Sequence, residues 1–129
     1  MNNDIKVLNW PNTTTASNIL NFDDISIFEK EFEGYGKFKL RIPTLFEDMK
    51  INIAIKKQLE KQELSLEERS LVEAIITLEN VIIEKPKDFA ISMIECRDIE
   101  LIMLLWNWCL ECYKEYSEGI KKKKMNLMK

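Results

Sequence analysis

Apolar and charged positions alternate in KFKLRI, residues 37–42: Phe38, Leu40 and Ile42 share one face, and Lys37, Lys39 and Arg41 share the other. A period of two predicts a half-buried strand with its polar face in water. Just upstream, Gly34 and Gly36 flank Tyr35 and predict a turn. DIKVLNW (4–10) alternates loosely and fits a second strand, while PNTTTASN (11–18) reads as a loop from its Pro, Asn, Thr and Ser content. Residues 19–33 fit neither period cleanly. Within them DDISIFEKEFE is compatible with a short helix capped by Asp23 or Asp24.

Beyond residue 42 the pattern turns helical. Pro43 ends the strand, and Thr44 with Glu47 forms a capping box, in which each side chain satisfies a backbone N–H of the first turn. The helix predicted there covers about 45–62. Ile51, Ile53 and Ile55 alternate with Asn52 and Ala54, a period-two run, but the cap and the Lys, Gln, Glu and Leu-rich flanks favour helix. Ser65 and Glu68 form a second capping box. The helix after it, about 66–84, carries Leu71, Ile75, Leu78 and Ile82 on one stripe, with Val72, Ile76 and Ile83 beside it, and Pro86 closes it. KDFAISMIECRD predicts a short helix at about 88–96. Asp98 caps a last helix over about 99–118, Gly119 ends that helix, and IKKKKMNLMK is a basic flexible tail. These elements predict a mainly α (α+β) fold, a helix-rich single domain of about four helices with a short N-terminal β-hairpin or two strands. Residues 1–35 form a variable segment packed on the domain, 36–119 the helical domain and 120–129 the tail.

The last helix has the most informative pattern. Glu100, Asn107, Glu111, Lys114, Glu115 and Glu118 fall within roughly 100° of one another on a helical wheel. The remaining arc is apolar from Leu101 through Tyr116. One helix of a small domain rarely needs so wide an apolar face for its own core. Part of it is therefore expected to meet another copy or another chain, with Leu101, Leu104, Leu105, Trp106, Trp108 and Tyr113 as the interface.

Composition narrows the chemistry. At 129 residues the chain suits one domain, and 46% hydrophobic and 32% charged residues are ordinary globular values. A formal net charge of −3 gives no global attraction to nucleic acid or an acidic membrane. Histidine is absent, which removes the commonest general base and metal ligand. Three cysteines, Cys96, Cys109 and Cys112, fit a reducing compartment better than a disulfide scaffold. The N-terminus lacks the basic-then-apolar order of a signal peptide. The most apolar run, Ile99 to Tyr113, falls short of the ~20 residues of a membrane span and contains two glutamates. A cytoplasmic protein is expected.

Individual motifs carry little chemistry. CLEC (Cys109–Cys112) has redox-pair spacing but lies late in a helix, where the dipole favours the thiol, and zinc would need further ligands. Trp106 and Trp108 lack the basic groove of a base-stacking surface. Asp23–Asp24 and Glu67–Glu68 read as helix-start charges. Lys121–Lys124 reads as a solvated tail that complements the helix dipole. Neither a phosphate loop nor a nucleophile motif is present. No catalytic, cofactor-binding or metal-binding residue is expected.

Three segments in order, KFKLRIPTLFEDMKINIAIKKQLEK, SLEERSLVEAIITLENVIIEKPKDF and DIELIMLLWNWCLECYKEY, together resemble the tail assembly chaperones of long-tailed bacteriophages and related prophages. The resemblance covers about residues 36–116 and rests on Ile42, Pro43, Thr44 and Glu47, then Pro86, Asp88 and Phe89. It implies a nonstructural, homo-oligomeric helical protein of the host cytoplasm, absent from the mature virion. Such a protein binds the tape measure protein, keeps it soluble and recruits tail tube protein, without cofactor, nucleic acid or membrane. It also implies a second, longer product made by ribosomal frameshift, for which the codons of Lys121–Lys124 are the candidate slippery stretch. The competing readings are a structural or baseplate component of a phage tail or contractile particle, and an enzyme subunit whose site a partner supplies. The missing histidine and motifs weigh against the last.

Overall fold

The computed structural model describes residues 26–87, 89 and 92–128. Along the chain these form strand β1 (Ile27–Phe32), strand β2 (Gly36–Arg41), helix α1 (Leu45–Leu59), helix α2 (Leu66–Val81), strand β3 (Ile82–Glu84), a 3₁₀ turn (Met93–Glu95) and helix α3 (Ile99–Met128). The three strands make one antiparallel sheet in the order β1-β2-β3. The protein is helix-rich with a hairpin ahead of its helices, as the sequence pattern predicts, but the described residues hold three α-helices rather than about four.

β2 behaves as its alternation predicts. Phe38 and Leu40 are fully buried, Ile42 is buried just beyond the strand, and Lys37 and Lys39 face outward to pair with Glu29 (3.0 Å) and Glu84 (3.5 Å). β1 corrects the helical expectation for residues 19–33 where they are described. Phe28 and Phe32 are four residues apart, a spacing that suits a helix face and a strand face equally. Pairing decides it: Phe28 lies opposite Leu40 and Phe32 opposite Gly36. The turn between them needs Gly34 at φ 85°, and the Tyr35 N–H donates to the Phe32 carbonyl at 2.9 Å. The strand expected at 4–10, the loop at 11–18 and the Asp23/Asp24 cap lie outside the described residues.

Both capping boxes form. The N–H of Glu47 donates to Thr44 Oγ1 (3.1 Å) and the Thr44 N–H donates to Glu47 Oε1 (2.9 Å); Ser65 and Glu68 repeat the exchange at 3.2 and 2.9 Å. Arg41 Nη2 donates to both Glu47 oxygens, at 3.1 and 3.0 Å, so one carboxylate ties the end of β2 to the start of α1. α1 stops at Leu59 with Glu60 as its C-cap, short of the expected 62.

Three other helix ends also differ from expectation. α2 ends at Val81, where the β-branched pair Ile82 and Ile83 turns extended and Ile82 pairs with Leu40. Pro86 therefore does not close that helix; it packs against Gly36. Of the short helix expected at 88–96, the described residues show only the 3₁₀ turn, whose first N–H, from Met93, donates to Glu79 Oε1 at 2.7 Å. α3 runs through Gly119 to Met128, so the expected flexible tail is helical there. A single mid-helix glycine costs only about 1 kcal/mol, and the Lys, Met and Leu around it are good helix formers.

The core sits between the inner face of the sheet and the helices, with α2 packed against α1, α3, β3 and the 3₁₀ turn. Ala74, Thr77, Leu78 and Val81 are the buried line of α2. Leu71 and Ile75, expected on that line, are half-buried, each lining an open groove beside α2. Phe32 meets Phe38 and Trp108 edge-on, at 5.7 and 5.4 Å between ring centroids, and Phe89 covers Phe38 at 5.7 Å.

Gly36 provides one test. Its φ is +116°, and an added Cβ would lie 2.7 Å from Pro86 Cγ, whereas Gly34 faces open space. Gly36→Ala should lower unfolding stability by about 1–3 kcal/mol more than Gly34→Ala does, read by urea titration; equal losses would refute the close approach. Glu47 provides a second. Burial opposes its charged form, but the Thr44 N–H, the hydrogen bonds and charge of Arg41 and the Thr44 hydroxyl outweigh this and hold the carboxyl below the usual carboxylate range. A folded pKa below the unfolded one contributes stability that is full above the ordinary range and lost as pH falls through the folded value. Thr44→Ala should cost about 1 kcal/mol. Glu47→Gln should lose less stability than wild type between neutral pH and about pH 3; identical acid limbs would contradict this role.

Candidate functional site

The structure divides the wide apolar face of α3. Leu101, Ile102, Leu105, Trp108, Cys109 and Cys112 are buried in the protein's own core, with Leu105 and Cys109 fully inaccessible. Three of the residues expected at an interface, Leu101, Leu105 and Trp108, are thus core residues and offer no docking surface; Trp108 packs edge-on against Phe32 of the sheet. Trp106 and Tyr113 are half-buried against the core, and Leu104 is 45% exposed within the polar arc.

A line that residue-by-residue selection missed stays in solvent. Ile99, Met103 and Leu110 are 60%, 45% and 49% exposed, and with half-buried Trp106 they fall at i, i+4, i+11 and i+7. That spacing is one stripe along a helix, and it was present in the sequence. Its signal was submerged because the core residues lie beside it in the same apolar arc.

At its N-terminal end the stripe forms one wall of a groove. Leu66, Leu71 and Ala74 from α2 face Ile99, Met103 and Trp106 from α3 around about 490 Å³, with Ser70, Glu67 and Glu68 also lining it. Two caps set its walls. Ser65 fixes the first turn of α2. Asp98 fixes that of α3, its Oδ1 accepting from the Leu101 N–H at 3.2 Å and its Oδ2 from the Tyr35 hydroxyl at 2.9 Å. The predicted caps are therefore placed as caps, and they position the apolar residues that line the groove. A second opening of about 450 Å³, between α1 and α2, is lined by Ala54, Val72, Ile75, Ile76 and Ile94 with Gln58, Glu79 and Asn80. The cleft beside Arg41 and Glu47 is only about 120 Å³.

The lining of both larger openings is mostly apolar. Cys109 and Cys112 lie on the buried side of α3, and burial pushes both thiols up to about 12; the neighbouring Cys112 sulfur adds to the shift at Cys109, as do Glu115 and Glu111 at Cys112. The thiolate is the nucleophile and metal ligand, so this pair is held in its inert form. Among the described residues no group of three or more His, Cys, Asp or Glu side chains is placed to hold a metal ion, and no helix is long and apolar enough to cross a membrane. Burial also raises the Tyr113 pKa, and among the described residues its hydroxyl has no hydrogen-bond partner. Lys121–Lys124 sit on helical backbone.

Set against known proteins, the chain matches no family model, no curated protein and no solved structure. The class of protein defined by fold and site is thus a small α+β domain with an apolar helix-lined groove.

Thiol labelling tests the burial. A small alkylating reagent should modify half-buried Cys96 in the native protein and reach Cys109 and Cys112 only with unfolding, as read by mass spectrometry. Rapid native labelling of Cys109 would contradict the packing of α3.

Proposed function

We propose that the protein is a tail assembly chaperone of a long-tailed bacteriophage or prophage, which binds the tape measure protein and keeps it soluble while tail tube subunits are recruited. The ordered segments from Lys37 to Tyr116 support the reading. The observation that carries it is the exposed Ile99–Met103–Trp106–Leu110 stripe opening into the groove beside Leu66. A long helical client exposes apolar stripes over its length, and a helix-in-groove contact captures one stripe at a time. Glu67 and Glu68 favour a client helix with basic flanks. Capture of this kind is reversible and involves neither covalent chemistry nor nucleotide.

On this reading the protein acts in the host cytoplasm and leaves the particle before maturation, whereas a baseplate or other structural component would persist in purified virions. A longer frameshifted product belongs to the same reading; an A-rich heptamer at the codons of Lys121–Lys124 with an overlapping downstream frame is its genetic signature.

Co-expression with the tape measure protein provides the test. Wild type should hold the client in the soluble fraction. Met103→Asp and Leu110→Asp should keep the fold and weaken capture by about 10-fold or more each, from the loss of roughly 1.5 kcal/mol of apolar burial. Leu105→Asp should instead unfold the domain. A client equally soluble without the protein, or with folded Met103→Asp, would reject the proposal.

A further inference from the structure

α3 is longer than the domain it belongs to. Among the described residues Tyr116 is the last on the helix packed against the core, and 12 residues follow it to Met128. At 1.5 Å per residue they extend about 18 Å. A helix of that length is marginal in water without packing. This one also carries Met125, Leu127 and Met128 at 59%, 52% and 86% exposure.

Two patterns indicate what covers it. The stripe does not stop at Leu110, although Trp106, Tyr113 and Ile120 on it are half-buried. Ile99, Met103, Trp106, Leu110, Tyr113, Ser117, Ile120, Lys124 and Leu127 continue the same alternation of four and three residues along the whole helix. That spacing drifts about 20° per heptad on a straight helix and faces one partner throughout only in a left-handed supercoil. The second pattern is charge. From Ile99 to Glu118 the helix has four glutamates and one lysine; from Gly119 to Met128 it has four lysines and no acid. A parallel pair would set lysine run against lysine run. An antiparallel pair removes that clash and brings the run to the groove that Glu67 and Glu68 line.

We propose that two copies of this chain pair antiparallel through α3, the last turns of each lying in the α2–α3 groove of the other. In this register Met103 meets Leu127 of the second copy, Leu110 meets its Ile120, and the Trp106 ring meets its Lys124, a polar position that fixes the register. The interface is isologous, so each copy fills one groove and inserts one helix end. The pairing stands on spacing and charge alone and holds whether or not a tape measure client exists. Because it covers the same groove, a second copy and a client helix would exclude one another.

Sedimentation equilibrium of the full chain across a dilution series tests it, without any client. A dimer is expected. Leu127→Glu puts a charge on an exposed position of the helix end, so it should leave the buried Cys109 and Cys112 as protected from alkylation as in wild type and raise the dimer dissociation constant about 30-fold or more. Orientation is read separately. A mixture of Met103→Cys and Leu127→Cys chains, each also carrying Cys96→Ser, should oxidise to the 103–127 disulfide between copies. A monomer at every concentration, a dimer unaffected by Leu127→Glu, or a 127–127 disulfide in place of the mixed one would overturn the proposal.

Discussion

Among the described residues the sheet is too small to cover α3, and the exposed stripe of that helix follows from it. Three described strands of at most 6 residues make a sheet roughly 14 Å by 20 Å, whereas 30 helical residues extend about 45 Å. The sheet seals its own side of α3 through Phe32 on Trp108, with Phe38 and Leu40 buried beside them. This contact sets the rotation of the helix. It turns Leu101, Leu105, Cys109 and Cys112 inward and leaves Ile99, Met103 and Leu110 out. The Asp98 cap, with its bond from Tyr35, fixes the start of the same helix to the β-turn, so rotation and position are set from one side of the domain.

Elements whose signals are local were legible in the sequence. KFKLRI showed its strand because only one face of β2 is buried. Thr44–Glu47 and Ser65–Glu68 showed their helix starts because a capping box is complete within four residues. The failures are non-local. Phe28 and Phe32 fit a helix or a strand until β2 pairs with them. Ile82 and Ile83 extend the apolar pattern of α2, yet pairing with Leu40 draws them into a strand. Gly119 and Pro86 look like stops, but the chain passes through the first as helix and uses the second to close over Gly36. The functional surface was half legible: the excess of apolar residues on α3 was visible, but its division between core and surface depends on where Phe32 falls.

The same division decides which groups reach solvent. The thiols of CLEC are on the inner side, where burial keeps them protonated. Thr44, Glu47, Ser65, Glu68 and Asp98 are engaged in holding helix ends. What reaches solvent is an apolar stripe beside acidic residues, followed by a basic helix end. A groove and a helix end of opposite charge on one chain suit self-association, and the groove alone suits a client helix. Under the proposed function, exchange between the two would keep the groove covered until a client arrives.

Oxidative footprinting of the methionines reads this central claim, that the Ile99–Leu110 stripe is the docking surface, most directly. Met93 is 1% exposed in the core and Met103 is 45% exposed on the stripe. The account predicts that Met93 stays protected throughout, while Met103 reacts in dilute protein and becomes protected when a second copy or the tape measure protein binds. A Met103 that reacts equally with and without a partner would contradict it.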